Sequence, residues 1–210
     1  MSIFLKTDHP IALDSPDHIR PLGTRQDNYE NKAFNQQLFW LFNGSKPSVL
    51  DLGCAGGAMV RSLIDDGCLA VGLEGSDYSL KSQRAEWGVI PDNLLTCDIG
   101  FPFTLSIDND EPFEFDVITA WEVVEHLPED RLPVMIDNMR RHLKVGGFMI
   151  GSSTDVRYTE HHQTLHGLEW WEELFKRYGF IHRTDLLQRF DEREAWVRRV
   201  DFNFVLKKIR

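Results

Sequence analysis

The chain has 210 residues, 42% of them hydrophobic and 27% charged, with a formal net charge of -10. That length suits one well-filled core, so a single domain over 1–210 is expected, with 1–45 as lead-in and helix and 46–210 as an α/β core. The acidic balance argues against a protein that holds nucleic acid mainly through its field, because phosphate binding needs a basic surface.

Residues 1–28 are rich in Pro, Asp and Gly and read as an irregular lead-in. The apolar run in "MSIFLKTDHP" is too short for a signal peptide. A helical pattern runs through "NYENKAFNQQLFWLF", with Phe34, Leu38, Leu41 and Phe42 on one face, and Gly44 and Pro47 stop it. Strand and helix then alternate. "SVLDLG" is a strand and "GAMVRSLIDDG" a helix closed by Gly67; "LAVGLE" is a strand and "DYSLKSQRAEWG" a helix. "LLTCD" and "FDVITAWE" are strands, the helix "EDRLPVMIDNMRRHLK" ends before Gly146-Gly147, and "FMIGSS" is a fifth strand. Such alternation implies right-handed crossovers and a parallel sheet covered on both faces. After the helix "LEWWEELFKRYGF", the segments "FIHRTDLL" and "VDFNFVLKKI" read as strands of a hairpin joined by "QRFDEREAWVRR". Five parallel strands and a final antiparallel one are expected. The basic residues of "DEREAWVRRVDF" and "VLKKIR" read as solvated faces.

Cys54, Cys68 and Cys97 form no C-x-x-C pair, which excludes a zinc finger or disulfide framework and points to a reducing cytoplasm. No apolar stretch reaches the length of a membrane span.

Open α/β sheets bind ligands at the C-terminal ends of their strands. The first strand runs into "VLDLGCAGGAMV", where Asp51 is an acceptor suited to an ammonium or hydroxyl, and Gly53 and Gly57 let the backbone approach a ligand. A phosphate-cradling loop would carry Lys-Ser/Thr after its glycines, and none is present. The second strand ends in Glu74, placed to accept from both hydroxyls of a ribose. The third ends in Asp98, placed to accept from an exocyclic amine such as that of adenine. Three carboxylates at consecutive strand ends, without a basic clamp for a pyrophosphate, describe a nucleoside that carries a cation.

The ordered segments "VLDLGCAGG", "VGLEGSD", "LLTCDI", "FDVITAWEVVEHL" and "LKVGGFMIGSS" resemble the successive motifs of class I S-adenosylmethionine-dependent methyltransferases over roughly residues 30–180. The resemblance implies a single Rossmann-like doubly wound sheet, mostly parallel and seven-stranded, with a C-terminal antiparallel hairpin. It implies S-adenosyl-L-methionine as cofactor, with Asp51, Gly53 and Gly57 flanking the methionine and Cys54, Ala55 and Gly75 in the same cofactor loops. Glu74 would hold the ribose, and Cys97, Asp98 and Ile99 the adenine. Ala55 stands where many members have glycine. A Rossmann dehydrogenase fits less well, because G-x-G-x-x-G is missing.

The resemblance also puts "WEVVEHLP" beside the transferable methyl group, and three readings of it stand side by side. In one, Trp121 and Glu122 wall the cofactor while Glu125 and His126 make structural hydrogen bonds. In another, Glu122, Glu125 and His126, which fan across about 100° of a helical face, join His162, His161 or both from "EHHQTLH" around a divalent metal ion. That pattern is similar to the ubiquinone-pathway O-methyltransferases and the small-RNA terminal 2′-O-methyltransferases, and its imidazoles favour Mn, Co, Fe or Zn over Mg. In the third, His126 or His162 is a general base, with Glu125 orienting the ring. A nitrogen bound to metal cannot also take the proton. His166 is a weaker candidate, Trp170 and Trp171 read as core, and His9, His18, His142 and His182 receive no role.

The expected function is cytoplasmic S-adenosylmethionine-dependent methylation of a small-molecule or glycan-like hydroxyl. The alternatives are a metal-dependent RNA-end 2′-O-methyltransferase, which the net charge opposes, and a non-catalytic cofactor-binding partner subunit. The lead-in, the 154–168 loop and the 188–199 segment are expected to wall the acceptor, with Arg25 and Tyr29 near it by position. Oligomeric state and acceptor identity have no motif to read.

Overall fold

The structure, a computed structural model, describes residues 1–157, 159–190 and 201–210. Its strands are β1 (Ile3–Thr7), β2 (Val49–Leu52), β3 (Ala70–Glu74), β4 (Leu94–Thr96), β5 (Phe103–Ile107), β6 (Phe115–Trp121), β7 (Leu143–Thr154), β8 (Phe180–His182) and β9 (Asp201–Lys208). Its helices are α1 (Pro16–Ile19), α2 (Gly23–Gln26), α3 (Lys32–Leu41), α4 (Ala58–Asp65), α5 (Tyr78–Ser82), α6 (Leu132–His142), α7 (Leu168–Arg177) and α8 (Thr184–Phe190).

Seven strands form one sheet in the order β4-β3-β2-β6-β7-β9-β8. The first five run parallel, and β9 lies antiparallel between β7 and β8. The seven-stranded sheet with its antiparallel end is therefore present as expected. Both faces are covered, which is why β2 and β3 are buried along their whole length. One face packs α6 and α7 through Met135, Ile136, Trp171 and Phe175. The other packs α3, α4 and α8 through Phe34, Leu38, Leu63 and Phe190. Strand order switches direction between β2 and β6, and such a switch point opens a crevice at the strand C-termini.

Four expectations need correction. The lead-in is not irregular: β1 pairs antiparallel with β5, a strand missed in "FPFTLSI", and α1 and α2 follow. The α3 helix starts at Lys32 behind the Asn31 cap and buries Phe34, Asn35, Leu38 and Phe39, so Leu41 and Phe42 are only half-buried. The segment read as one helix from Asp77 breaks after α5, because Gln83 (φ 50°) and Ala85 (φ 52°) are left-handed. The short 3-10 turn that follows buries Trp87, whose indole N–H donates to the Ala55 carbonyl at 2.8 Å. Finally, β8 stops at His182; Leu186 and Phe190, one helical turn apart, are buried from α8 rather than from a longer strand. Much of the joining segment, residues 191–200, lies outside the described residues.

Candidate functional site

The loops after β2, β3, β4 and β6 surround a cavity of about 640 Å³. Asp51 on β2 is buried and accepts from the Thr119 hydroxyl at 2.7 Å. It forms no ion pair among the described residues. Burial, opposed by the Thr119 bond and reinforced by the Glu74 charge, pushes its carboxyl up to about 7.

Gly53, at φ 71°, takes the chain out of the strand, and a Cβ there would lie 2.4 Å from a methyl of Val123. Gly53→Ala is therefore expected to cost about 1–3 kcal/mol through overpacking and left-handed strain; a thermal melt with no drop in Tm would contradict this. Gly57 (φ 89°) caps α4, and a Cβ there would meet Leu94 at 2.6 Å. It shapes the turn without lining the cavity. Ala55 is left-handed too (φ 47°). Its N–H donates to Glu74 Oε2 at 2.8 Å and its carbonyl accepts from Trp87, which holds a conformation more natural to glycine.

Glu74 is buried at the end of β3. Its Oε1 accepts from the Ser76 N–H at 3.1 Å and from the Thr24 hydroxyl at 3.2 Å. Burial raises its carboxyl above the usual range, against the pull of the Ser76 and Ala55 N–H groups. Asp98 accepts from the Gly100 N–H at 2.9 Å and has Arg131 at 3.9 Å; burial again raises it. Cys97 beside it is buried, its thiol pushed up to about 12 by burial and the Asp98 charge. Cys54, Gly75, Ile99 and Trp121 also line the cavity, and Trp121 packs edge-on to Phe34.

The segment "WEVVEHLP" does not form the helical face that would align positions 122, 125 and 126. Glu122 sits at φ 54°, and only Val124–His126 make a 3-10 turn. Glu122 Oε1 accepts from the Ser152 hydroxyl at 2.5 Å, while its N–H donates to Ser152 Oγ at 3.2 Å. Glu125 is fully buried, and neither carboxylate oxygen has a hydrogen-bond partner among the described residues. Burial and the Glu122 charge push its carboxyl up to about 8.

His126 Nδ1 lies 2.5 Å from Asp17 Oδ2, and His162 Nδ1 is 3.0 Å from the Val156 carbonyl. Glu125, His126 and His162 each bring a donor atom to within 4.8 Å of the others. Glu122, expected as a fourth ligand, is not in that group. Glu125, expected to orient the His126 ring, makes no hydrogen bond to it; the carboxylate on that ring is Asp17. His161 turns to the other oxygen of Asp17 at 3.3 Å. His166 pairs with Glu129 and stacks on half-buried Trp170, while Trp171 is core. The Gln163 and Thr164 N–H groups donate to the Glu125 carbonyl at 2.8 and 3.0 Å, docking the 154–168 loop here.

Sequence reasoning missed Asp17, Thr24, Thr119 and Ser152. It also missed how the lead-in becomes a strap over the cavity. His9 O accepts from Asp98 N–H, Ala12 N–H donates to Gly75 O, and Asp27 O accepts from Gly56 N–H. Asn28 Oδ1 accepts from Ala58 N–H at 3.0 Å. The one local signal was "SPD", a helix start in which Ser15 accepts from Asp17 N–H. Tyr29 lines the cavity and Arg25 does not. Of the expected 188–199 wall, residues 188–190 end α8 and the rest lie outside the described residues.

A family model described as "Methyltransferase domain" matches residues 24–202. The chain is 29% identical over 147 residues to a ubiquinone biosynthesis O-methyltransferase of Coxiella burnetii (strain Dugway 5J108-111), covering 67% of this chain and 59% of that protein. A protein of the same name from Nitrosomonas europaea is 25% identical over 133 residues, 63% of this chain and 54% of that one. The chain thus spans little more than half the length of these curated relatives. Among solved structures, an S-adenosylmethionine-dependent methyltransferase from Clostridium acetobutylicum ATCC 824 aligns with TM-score 0.62 and 15% identity over 89% of this chain and 94% of that one. The glycopeptide N-methyltransferase MtfA aligns with TM-score 0.59 and 15% identity over 87% and 92%. At such identities the likeness is one of fold.

Proposed function

From the premise that the chain belongs to the methyltransferase domain family, we propose that it binds S-adenosyl-L-methionine in the 640 Å³ cavity and methylates a hydroxyl of a small or glycan-like acceptor. The observation that carries this reading is the trio of buried carboxylates Asp51, Glu74 and Asp98 around one cavity. Asp51 is charged only at a cost without a cation beside it, and a ligand with an ammonium and a sulfonium supplies one. Asp51, Gly53, Cys54 and Ala55 would hold the methionine, with Gly57 acting through the turn. Glu74 and Gly75 would face the ribose. Glu74 already accepts three hydrogen bonds, so a second ribose hydroxyl would displace Thr24. Cys97, Asp98 and Ile99 would face the adenine, and Trp121 and Glu122 the reacting end.

The cofactor supplies an electrophilic methyl group for in-line displacement. This chain's part is to strip a proton from the acceptor oxygen and keep water out. His126, with Nδ1 turned to Asp17, has Nε2 as its basic nitrogen for that task. Carboxylates outnumber cations around the cavity, and the two lining cations are paired, Lys32 with Asp66 (3.6 Å) and Arg131 with Asp14 (3.3 Å). This field favours neutral or cationic acceptors and opposes phosphate-bearing ones, which weighs against an RNA end. Three buried free thiols fit a reducing cytoplasm. Among the described residues no helix is long and apolar enough to cross a membrane.

The orphaned Glu125 carboxylate favours a second reading, in which Glu125, His126 and His162 hold a divalent cation. Two imidazoles and a carboxylate fit Mn, Co, Fe or Zn. Such an ion would lower the acceptor hydroxyl pKa, leaving no base role for a ligated nitrogen.

Calorimetric titration of S-adenosylmethionine into chelator-treated protein tests the main reading. Wild type is expected to bind, and Glu74→Gln to bind about 10- to 100-fold more weakly, the worth of a charge-assisted hydrogen bond. No binding by wild type would overturn it. Binding without methyl transfer to any acceptor in cell extract would favour the partner-subunit alternative.

A further inference from the structure

Asp17 is the residue of the strap that reaches furthest into the chemistry. It lines the cavity, and both of its oxygens are spent on imidazoles from different loops. Oδ2 meets His126, after β6, at 2.5 Å, and Oδ1 meets His161, after β7, at 3.3 Å. An ordinary surface latch looks different. The neighbouring Arg20–Glu160 pair, at 2.7 Å, joins two exposed side chains, neither of which lines the cavity. Asp17 is itself held in place, because Ser15 accepts from its N–H at 3.3 Å at the start of α1. The only carboxylate adjacent in sequence to His126, Glu125, makes no hydrogen bond to that ring.

We propose that Asp17 is a positioning residue that selects the His126 tautomer, keeping Nδ1 protonated so that Nε2 is the nitrogen offered to an acceptor proton or a metal ion. A carboxylate bound to one ring nitrogen fixes both the orientation of the ring and the basicity of the other nitrogen. The inference deepens the function proposed above and rests on it for its kinetic consequence, but not for the tautomer itself. His161, on the second oxygen, serves to aim the carboxylate, and this ties strap, β6 loop and β7 loop into one unit.

The test uses full-length protein with ¹⁵N-labelled histidine at a pH where the rings are neutral. His126 is assigned by the signals lost in His126→Gln. Wild type is expected to show a protonated Nδ1 and a bare Nε2. Asp17→Leu should redistribute the proton between the two nitrogens, Asp17→Asn should keep part of the bias through its carbonyl, and Arg20→Ala should leave it unchanged. Methyl transfer by Asp17→Leu should fall 10- to 100-fold in kcat with cofactor Kd within about threefold. If wild type binds Mn²⁺, its affinity should fall by a similar factor, the usual consequence of losing such a partner. An unchanged His126 spectrum in Asp17→Leu overturns the proposal. Should Asp17→Leu fail to fold, Asp17→Asn with wild-type nitrogen shifts and wild-type kcat does the same. A wild type that binds no S-adenosylmethionine sinks the function proposed above, while the ring spectrum still decides the role of Asp17.

Discussion

S-adenosylmethionine is expected to bind about tenfold more tightly at pH 8 than at pH 6, and Asp51→Asn to remove most of that difference while weakening binding at pH 8 by about 100-fold. The reason is the carboxyl pushed up to about 7 by burial, above its ordinary value of 3.8. In the ligand-free protein Asp51 keeps its proton at pH values where the unfolded chain has lost it. Its contribution to stability is therefore full below about pH 4 and declines as pH rises through 7. A cationic ligand prefers the charged carboxylate, so binding expels the proton below pH 7 and proceeds without that cost above it. Each pH unit below the folded value then weakens binding by up to about tenfold, or 1.4 kcal/mol. Burial raises Glu74 as well, which pushes in the same direction. Calorimetry in two buffers of different ionisation enthalpy checks the proton directly: at pH 6 the heats should differ in wild type and converge in Asp51→Asn. Affinity that is flat from pH 6 to 8 would remove Asp51 from the cation site.

Replacing Glu125 should separate stability from function. Glu125→Met is expected to raise the stability of the metal-free protein by on the order of 3 kcal/mol at pH 9, and to abolish any Mn²⁺ binding. The Glu125 carboxyl, raised to about 8 by burial and Glu122, is buried without a hydrogen-bond partner among the described residues. Its contribution is fully present below the unfolded value near 4.5 and is lost as pH rises through 8. An apolar side chain of similar volume removes that loss, so the variant's Tm should stay flatter between pH 6 and 9. A carboxylate kept at a place where methionine is more stable serves binding or chemistry rather than folding. Glu125→Met melting below wild type at pH 9 would contradict this account, and melting above it with unchanged Mn²⁺ binding would move the ion elsewhere.

The three acids were legible because each belongs to a strand end whose position follows from local hydrophobic pattern. Asp51, Glu74 and Asp98 needed only the alternation of strand and helix to be brought together. Asp17 was not legible, since its partner His126 lies 109 residues away and no local pattern announces such a pair. Glu122 failed for the opposite reason. A helical period was assumed for five residues, but the backbone turns left-handed at its first member and the carboxylate goes to Ser152. "FIHRTDLL" reads as a strand because it is apolar only at its two ends, which fixes neither period, and only the burial of Leu186 with Phe190 decides for a helix. β1 and β5 are short, and each makes sense as a strand only once the other is known.

The strap over the cavity also bears on the thermodynamics of ligand entry. It is ordered along its length by hydrogen bonds to Asp98, Gly75, Glu74, Gly56 and Ala58, all made within the chain itself. Loops that stiffen only around a bound molecule subtract their lost conformational entropy from its affinity. Here that loss falls on folding, and the contacts a ligand makes are retained as net affinity. The corresponding burden is kinetic. Wherever these bonds must open for a molecule to pass, its residence is set by the fastening of the strap as much as by the ligand's own contacts.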